Sequence, residues 1–363
     1  MEWRENTWAM AKLFTITEDW AELQWFSTGG TRAKKYLQSP DGKFYYFKRS
    51  QLRPGRDYTF EFWNEIIAYE LGTMLGFNML RYDIAIDGEI MGCICESMIN
   101  SEEEELIEGV KYLQAYSPGY DPAKKEHQSW YTFDLIERAL QSAKIGHFIN
   151  DIIKIIIFDS VIGNGDRHQE NWAIITHQKL ILDTLEKAEK LDGLKKWERK
   201  LISWLKDVFK KTQDLYENNK EKFPRSFFYE DEKRFAPIYD SGSSLGRELL
   251  DEKVNLYLNS PAELSRYIER GSSEIHWGNK KINHYDLIGK LLESNYKEKV
   301  KETIERLLKK FDGAKFAKMI QVIDREVPDN LSMYKIPDNR KQLIIKMITL
   351  RLEKLRALIY EGV

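Results

Sequence analysis

The sequence predicts an α+β protein in which a small antiparallel sheet precedes a larger, mostly helical part. Aromatic and alternating apolar residues bounded by turn residues predict a strand at 43–50 and a hairpin at 79–98. Apolar residues recur at helical spacing at 58–77, and again in several segments of 251–363. We therefore expect two lobes, with the sheet confined to about the first hundred residues.

The composition is that of a folded protein without a bulk charge for binding polyanions. The 363 residues are 42% hydrophobic and 31% charged, with a formal net charge of −2, which predicts no direct nucleic-acid binding. The only cysteines, Cys93 and Cys95, share one face of a strand, which argues against a disulfide framework and predicts a reducing, cytoplasmic setting. No apolar run approaches the roughly 20 residues of a membrane span, and the charged N-terminus is not a signal peptide.

The first lobe combines a loop and a strand whose cations suit a phosphate. Residues 26–37 contain small residues, paired glycines and cations, although a hairpin turn with solvated lysines explains this loop better on its own. Lys48 shares a strand face with Tyr46, so its ammonium would emerge from an apolar surface and need a carboxylate or phosphate partner. Glu65, in the middle of the helix at 58–77, is the best candidate partner, although most helical glutamates are ordinary surface charges.

The central stretch at 158–175 predicts the end of an apolar helix, a polar loop and a short strand. Asp166 is followed five positions later by the amide of Asn171, on a loop rich in glycine and asparagine. Phosphoryl-transfer sites use this arrangement, because the carboxylate can accept or orient a hydroxyl proton and the amide oxygen can ligate Mg²⁺. Taken alone, a polar turn with the same side chains as local caps explains the loop equally well.

Two later segments complete the predicted arrangement. A short strand ending at Asp240 would aim a second carboxylate into the same cleft as Asn171 and complete an Mg²⁺ site, whereas the ordinary alternative is an Asp that caps a turn. Between two strands, residues 180–222 place apolar residues at helical spacing among many charges, which predicts one or two amphipathic helices. These helices pack on the lobe, the more common role, or form a docking surface for a partner.

The order of these parts resembles the HipA-like branch of the kinase fold. S-T-G-G-T-R-A-K at 27–34 resembles its phosphate loop, G-N-G-D-R-H-Q-E-N-W at 163–172 its catalytic loop, and A-P-I-Y-D at 236–240 its metal-binding motif. The catalytic loop is also similar to that of phosphatidylinositol 3- and 4-kinases. The resemblance is to the short, cell-translocating kinase type. It implies a two-lobed protein-kinase-like fold, with an antiparallel-sheet N-lobe at 1–99 and a larger, mostly helical C-lobe at 100–363.

The resemblance also implies a role for each matching residue. Lys48 would contact the ATP phosphates and pair with Glu65, Asp166 would be the catalytic base, and Asn171 and Asp240 would hold Mg²⁺. The other implied nucleotide-binding residues are Ser27, Thr28, Gly29, Gly30, Thr31, Lys34, Glu96, Met98 and His168. Glu96 and Met98 would lie at the hinge, and Ser27 is also the candidate site of autophosphorylation.

The implied activity is that of an ATP- and Mg²⁺-dependent protein serine/threonine kinase that autophosphorylates and acts as a toxin or effector. The alternative is a phosphatidylinositol or small-molecule kinase of the same fold. A nucleotide-binding pseudokinase is disfavoured, because every expected polar position is occupied. The expected partners are ATP, a protein substrate, and an antitoxin or host protein. The expected location is the cytoplasm, or a host cytosol for a secreted effector.

Overall fold

The computed structural model describes residues 11–23, 34–50, 52–53, 56–100, 103–218 and 228–360. The predicted phosphate loop, with Ser27, Thr28, Gly29, Gly30 and Thr31, lies outside the described residues. The chain divides into two compact units, of which the first comprises 1–98, 108–172 and 237–363 and the second comprises 99–107 and 173–236. The predicted lobe boundary at residues 99 and 100 stays a prediction.

The secondary structure follows the predicted order of strands first and helices later. The strands are β1 (Leu13–Ile16), β2 (Ala21–Glu22), β3 (Lys34–Gln38), β4 (Phe44–Arg49), β5 (Leu52–Arg53), β6 (Arg56–Asp57), β7 (Asp83–Asp87), β8 (Ile90–Glu96), β9 (Glu104–Glu108), β10 (Ala173–Leu180) and β11 (Phe228–Phe235). The α-helices are α1 (Glu61–Leu75), α2 (Gly109–Tyr116), α3 (Phe133–Ser142), α4 (Ile149–Ile162), α5 (Ile181–Glu189), α6 (Lys196–Asn218), α7 (Asp251–Asn259), α8 (Pro261–Arg270), α9 (His284–Leu292), α10 (Lys297–Lys310), α11 (Gly313–Val322) and α12 (Asp338–Tyr360). Short 3₁₀ helices occur at Lys125–Trp130, Gly146–Phe148 and Asp329–Tyr334.

The main sheet of the first unit has the strand order β1-β7-β8-β4-β3-β2. Its neighbouring strands pair antiparallel except β1, which pairs parallel with β7 at the sheet edge. The predicted antiparallel sheet is confirmed in these pairings, and its edge adds one parallel pair. The parallel pair arises because β1 joins β7 across a long connection that contains α1, whereas the antiparallel pairs β3–β4 and β7–β8 are local hairpins. β5 and β6 form a separate two-stranded ribbon.

The two faces of β4 serve different purposes. Tyr45 and Phe47 are buried in a cluster with Leu37 of β3 and Ile94 of β8. Because successive side chains of a strand point to opposite faces, Lys48 lies on the other face, opposite Cys93 of β8. The sheet therefore has one apolar face and presents a single buried cation, Lys48, on the opposite face of β4.

The two helices that flank the site end where glycine permits a left-handed turn. α1 is buried along most of its length and stops at Gly76, with φ of 84°. α4 is also largely buried and ends at Gly163, with φ of 70°, which turns the chain into the predicted catalytic loop. Among the described residues, no helix is both long and apolar enough to cross a bilayer.

The second unit contains a three-stranded sheet in the order β11-β10-β9 and two helices. The helices α5 and α6 connect β10 to β11, as the sequence predicts for its charged amphipathic segment, and Lys206 of α6 forms an ion pair with Glu189 of α5. The predicted strand ending at Asp240 is wrong in its end point, because β11 stops at Phe235. Pro237 explains the stop, since it has no N–H for a further ladder hydrogen bond.

Candidate active site

The centre of the candidate site is the buried ammonium of Lys48. Its Nζ lies 3.2 Å from Oε1 of Glu65 on α1, and the two side chains are 10% and 2% exposed. Glu65 lies on α1 and Lys48 on β4, so a carboxylate from the helix meets a cation from the sheet. The structure therefore brings together the two residues that the sequence proposes as an ion pair.

Lys48 also contacts two groups from later parts of the chain. Its Nζ lies 3.2 Å from Oδ1 of Asp240 and donates to the hydroxyl of Tyr82 at 3.2 Å. Burial alone would lower the pKa of the Lys48 ammonium, but the Asp240 and Glu65 carboxylates outweigh that effect and hold its pKa well above the ordinary value. Lys48 is thus a permanent cation that balances two carboxylates.

Asp240 is fixed in an uncommon backbone conformation. Its φ is 54°, in the left-handed region that Asp tolerates better than most residues. Its N–H donates to the Tyr82 hydroxyl at 3.3 Å, and the next N–H, of Ser241, donates to Oε2 of Glu65 at 2.7 Å. The chain upstream is held at Ile238, which forms an isolated parallel bridge with Met79. These contacts aim the carboxylate at Lys48 although no regular strand reaches Asp240.

The predicted catalytic loop is a tight turn closed by its own side chains. Asn171 Nδ2 donates to the carbonyl oxygen of Asp166 at 2.8 Å, and Asn164 Oδ1 accepts from the Asp166 N–H at 3.1 Å. The half-buried Asp166 carboxylate accepts a hydrogen bond from Ser243 Oγ at 2.8 Å. Ser243 follows Asp240 by three residues, so the loop and the Asp240 segment are in direct contact.

Arg167 binds both the predicted catalytic loop and the segment that leads to Asp240. Its Nη1 donates to the carbonyl oxygens of both Asn171 and Tyr239, the residue before Asp240. Its remaining nitrogens bind the Asp159 carboxylate of α4, with Nε–Oδ2 at 3.0 Å and Nη2–Oδ1 at 2.9 Å. A single buried guanidinium therefore holds the Asn171 loop next to the Asp240 segment, across 72 residues of sequence from Arg167 to Tyr239.

The other predicted nucleotide-binding residues that the structure describes are Glu96, His168, Lys34 and Met98. Glu96 at the end of β8 is half exposed, and its carboxylate pairs with Lys43 at 3.1 Å. His168 accepts from the Glu170 N–H at Nδ1, at 3.3 Å. Lys34 is the first residue of β3, opposite Lys48 in the register, and Met98 follows β8. The nucleotide-binding roles of these four residues stay predictions.

Sequence reasoning assigned no role to several residues that build the site. Asp159 carried a usable signal, because a carboxylate inside an otherwise apolar helix needs a buried partner, and Arg167 follows eight positions later. The sequence predicts only that Tyr82 lies in an alternating strand and that Ser243 lies in a Gly/Ser loop. Neither residue type nor spacing indicates that their hydroxyls bind Lys48 and Asp166.

The donor set fits a hard divalent cation. Asp240 supplies a carboxylate, and Asn171 supplies an amide whose nitrogen is engaged with Asp166, so its oxygen is the atom suited to a cation. Mg²⁺ uses one or two protein oxygen donors and completes its shell with phosphate oxygens and water. The residues present therefore match Mg²⁺ better than a metal that requires several His or Cys ligands.

The fold places the chain among proteins with a kinase-like fold. The structure is similar to that of the proinflammatory kinase CtkA of Helicobacter pylori, with a TM-score of 0.66 and 16% sequence identity over 96% of this chain and 97% of that chain. A chain of the HipA, HipB and operator DNA complex of the toxin–antitoxin system of Shewanella oneidensis MR-1 gives a TM-score of 0.41 and 11% identity over 98% of this chain and 67% of that one. No protein-family model and no curated protein sequence matches the chain. The predicted kinase-like fold is confirmed.

Proposed function

We propose that the protein is an ATP- and Mg²⁺-dependent protein serine/threonine kinase of the HipA-like family. One observation carries the proposal: Lys48 contacts Glu65, 17 residues away, and Asp240, 192 residues away, through a single buried ammonium. A lysine from a strand, paired with a helix glutamate and facing a metal-binding aspartate, is the arrangement by which kinases hold the phosphates of ATP. A merely structural ion pair needs only one of the two carboxylates.

The chain's own residues supply positioning and charge. Lys48 offers a permanent cation to the phosphate oxygens, because its pKa is held well above the ordinary value. Asp166 can accept or orient the proton of an acceptor hydroxyl, since Ser243 already shows that a hydroxyl reaches this carboxylate at 2.8 Å. Phosphoryl transfer needs little covalent chemistry from the protein, so such placement accounts for most of the catalysis.

The cation would be held by Asp240 and Asn171. Mg²⁺ in such a site neutralises negative charge that develops on the transferring phosphoryl group. Arg167 keeps the two ligand-bearing segments together through the carbonyl oxygens of Asn171 and Tyr239. The acidic surroundings favour binding of the cation, while the braced backbone fixes where it binds.

The finer parts of the proposal come from the resemblance of the sequence motifs. They are the serine/threonine acceptor, autophosphorylation at Ser27, and a toxin or effector role with an antitoxin or host protein as partner. Phosphopeptide mapping after incubation with ATP tests the Ser27 assignment directly. Phosphate on other residues only would contradict it.

The test of the activity is phosphate incorporation from labelled ATP with Mg²⁺. Asp166→Asn and Asp240→Asn should each lower the rate by at least about 100-fold, because each removes a carboxylate that acts in transfer. Asp192→Asn, an equal change at an exposed position of the second unit, should leave the rate unchanged. Circular dichroism and urea unfolding verify that the variants fold. Wild-type incorporation in either site variant would contradict the proposal.

A further inference from the structure

The serine-rich segment after Asp240 brings a hydroxyl onto the proposed catalytic base. Ser243 Oγ donates to Oδ2 of Asp166 at 2.8 Å, although the two residues are 77 positions apart in the sequence. Both side chains are half-buried. Three roles would explain this contact: the hydroxyl competes with the acceptor for the base, is itself the acceptor, or supports the carboxylate.

The other two serine hydroxyls of this segment fix its backbone. Ser244 Oγ donates to the carbonyl oxygen of Ser241 at 2.6 Å, which closes the turn that contains Ser243. Ser241 Oγ in turn accepts a hydrogen bond from Nη2 of Arg167 at 3.3 Å. Ser241 and Ser244 are each 2% exposed, so these hydrogen bonds lie away from solvent. The turn that carries Ser243 is therefore held closed by its own buried side chains.

Helices α1 and α4 anchor the same turn. Asn64 of α1 is 4% exposed, and its Nδ2 donates to the carbonyl oxygens of Ser244 at 2.7 Å and Gly242 at 3.3 Å. The N–H of Leu245 donates to the carbonyl oxygen of Ile162, the last residue of α4, at 2.9 Å. Moving the turn would leave these buried polar groups without partners, which is costly.

This anchoring favours the supporting role for the hydroxyl. An acceptor hydroxyl must leave the carboxylate, approach the phosphorus atom and then make room for a phosphate group, so its turn has to move. A competing hydroxyl has to turn away in every catalytic cycle. A supporting hydroxyl has to stay where it is, which is what a turn tied to α1, α4 and Arg167 provides.

We infer that Ser243 is a positioning residue that holds the Asp166 carboxylate in the orientation in which it accepts the proton of the acceptor hydroxyl. The inference rests on the proposed function, because it concerns the proposed base. The hydrogen bond to Oδ2 restricts rotation of the carboxylate, and such restriction keeps a reacting group in its productive geometry. Helix α1 then serves both sides of the site: Glu65 binds Lys48, and the adjacent Asn64 fixes the turn that supports Asp166.

Phosphate incorporation into the full chain from labelled ATP with Mg²⁺ tests the inference. Ser243→Ala should lower the rate at saturating ATP about tenfold, because a hydrogen bond to a charged group is lost in the transition state. The half-saturating ATP concentration should change less than about twofold, since the hydroxyl acts on the base. Ser243→Thr keeps a hydroxyl at this position and should retain at least about half of the wild-type rate.

Two further measurements separate positioning from a general structural effect. In an Asp166→Asn background, Ser243→Ala should change the residual rate less than about twofold, because the hydroxyl acts through that carboxylate. Ser265→Ala is the matched control: it removes the same kind of hydrogen bond, from Oγ to Oε1 of Glu269 at 3.0 Å on α8, and should leave the rate unchanged. Circular dichroism and urea unfolding verify that each variant folds.

Several results would overturn the inference while leaving the proposed function intact. A wild-type rate in Ser243→Ala would show that the hydroxyl is dispensable, and a higher rate would make it a competitor of the acceptor. Phosphate found on Ser243 by peptide mapping would make it an acceptor. An equal loss of rate in Ser265→Ala, or an undiminished effect of Ser243→Ala in the Asp166→Asn background, would show that the hydroxyl does not act through the base. A wild type that transfers no phosphate would instead refute the proposed function, and this inference with it.

Discussion

Arg167 and Asp159 form a buried ion pair whose replacement should separate stability from catalysis. The two residues are 1% and 3% exposed and are joined by two hydrogen bonds of 2.9 and 3.0 Å. Removing one member of such a pair leaves an unpaired buried charge, at a cost of about 3–5 kcal/mol. Arg167→Met should therefore lower the free energy of unfolding by that amount.

Replacing both members should restore most of the stability. In Arg167→Met with Asp159→Leu, no buried charge remains, and apolar pairs of similar volume are often as stable as the ion pair. The hydrogen bond from Asn164 Nδ2 to Asp159, 3.0 Å long, is lost, which costs about 1 kcal/mol. Urea unfolding of the single and double variants measures the difference.

Catalysis should not recover with stability. The double variant still lacks the guanidinium nitrogen that donates to the carbonyl oxygens of Asn171 and Tyr239. If this brace contributes about 2 kcal/mol to placing Asn171 and Asp240 in the transition state, its loss lowers kcat about 30-fold. A double variant with wild-type kcat would refute the reasoning, because Arg167 would then serve stability alone.

Three further predictions concern buried groups of the first unit. Burial raises the pKa of Glu70 to about 7, above its unfolded value of 4.5. The free energy of unfolding should therefore fall as the pH rises from about 4.5 to 7. Glu70→Gln should abolish this fall and stabilise the protein by about 3 kcal/mol at pH 8. Gly109→Ala should lower the free energy of unfolding in urea by about 1–3 kcal/mol, because its Cβ would clash with the Trp172 ring. Lys48→Met should abolish phosphate transfer and lower the free energy of unfolding, because the buried carboxylates of Glu65 and Asp240 then lack their shared cation.

Each of these predictions has an outcome that contradicts it. Equal slopes of unfolding free energy against pH in Glu70→Gln and the wild type would show that Glu70 is ionised when folded. Wild-type stability in Gly109→Ala would show that the Trp172 ring moves aside at little cost. A Lys48→Met variant as stable as the wild type would mean that the neighbouring carboxylates do not depend on this cation.

Local patterns in the sequence predict the elements that carry the site, but not the contacts that close it. α1, β4 and α4 follow from periodicity and turn residues, and Lys48 and Glu65 stand out because their positions within these elements face one another. The parallel pairing of β1 with β7 has no local signal, since it depends on where a distant edge strand finds unpaired backbone groups. The strand predicted up to Asp240 failed because tertiary hydrogen bonds replace the ladder after Phe235.

The formal charges of the site would help Asp240 and Asn171 to hold Mg²⁺ with few protein oxygen ligands. Lys48 and Arg167 supply two positive charges, whereas Glu65, Asp240, Asp159 and Asp166 supply four negative ones. Arg167 pairs with Asp159, and Lys48 lies 3.2 Å from both Glu65 and Asp240, so the four carboxylates exceed the two cations by two formal negative charges. Such an excess in a partly buried site favours binding of a cation. The ion pairs that stabilise the fold thus leave a net negative charge in the site where Mg²⁺ is expected to bind.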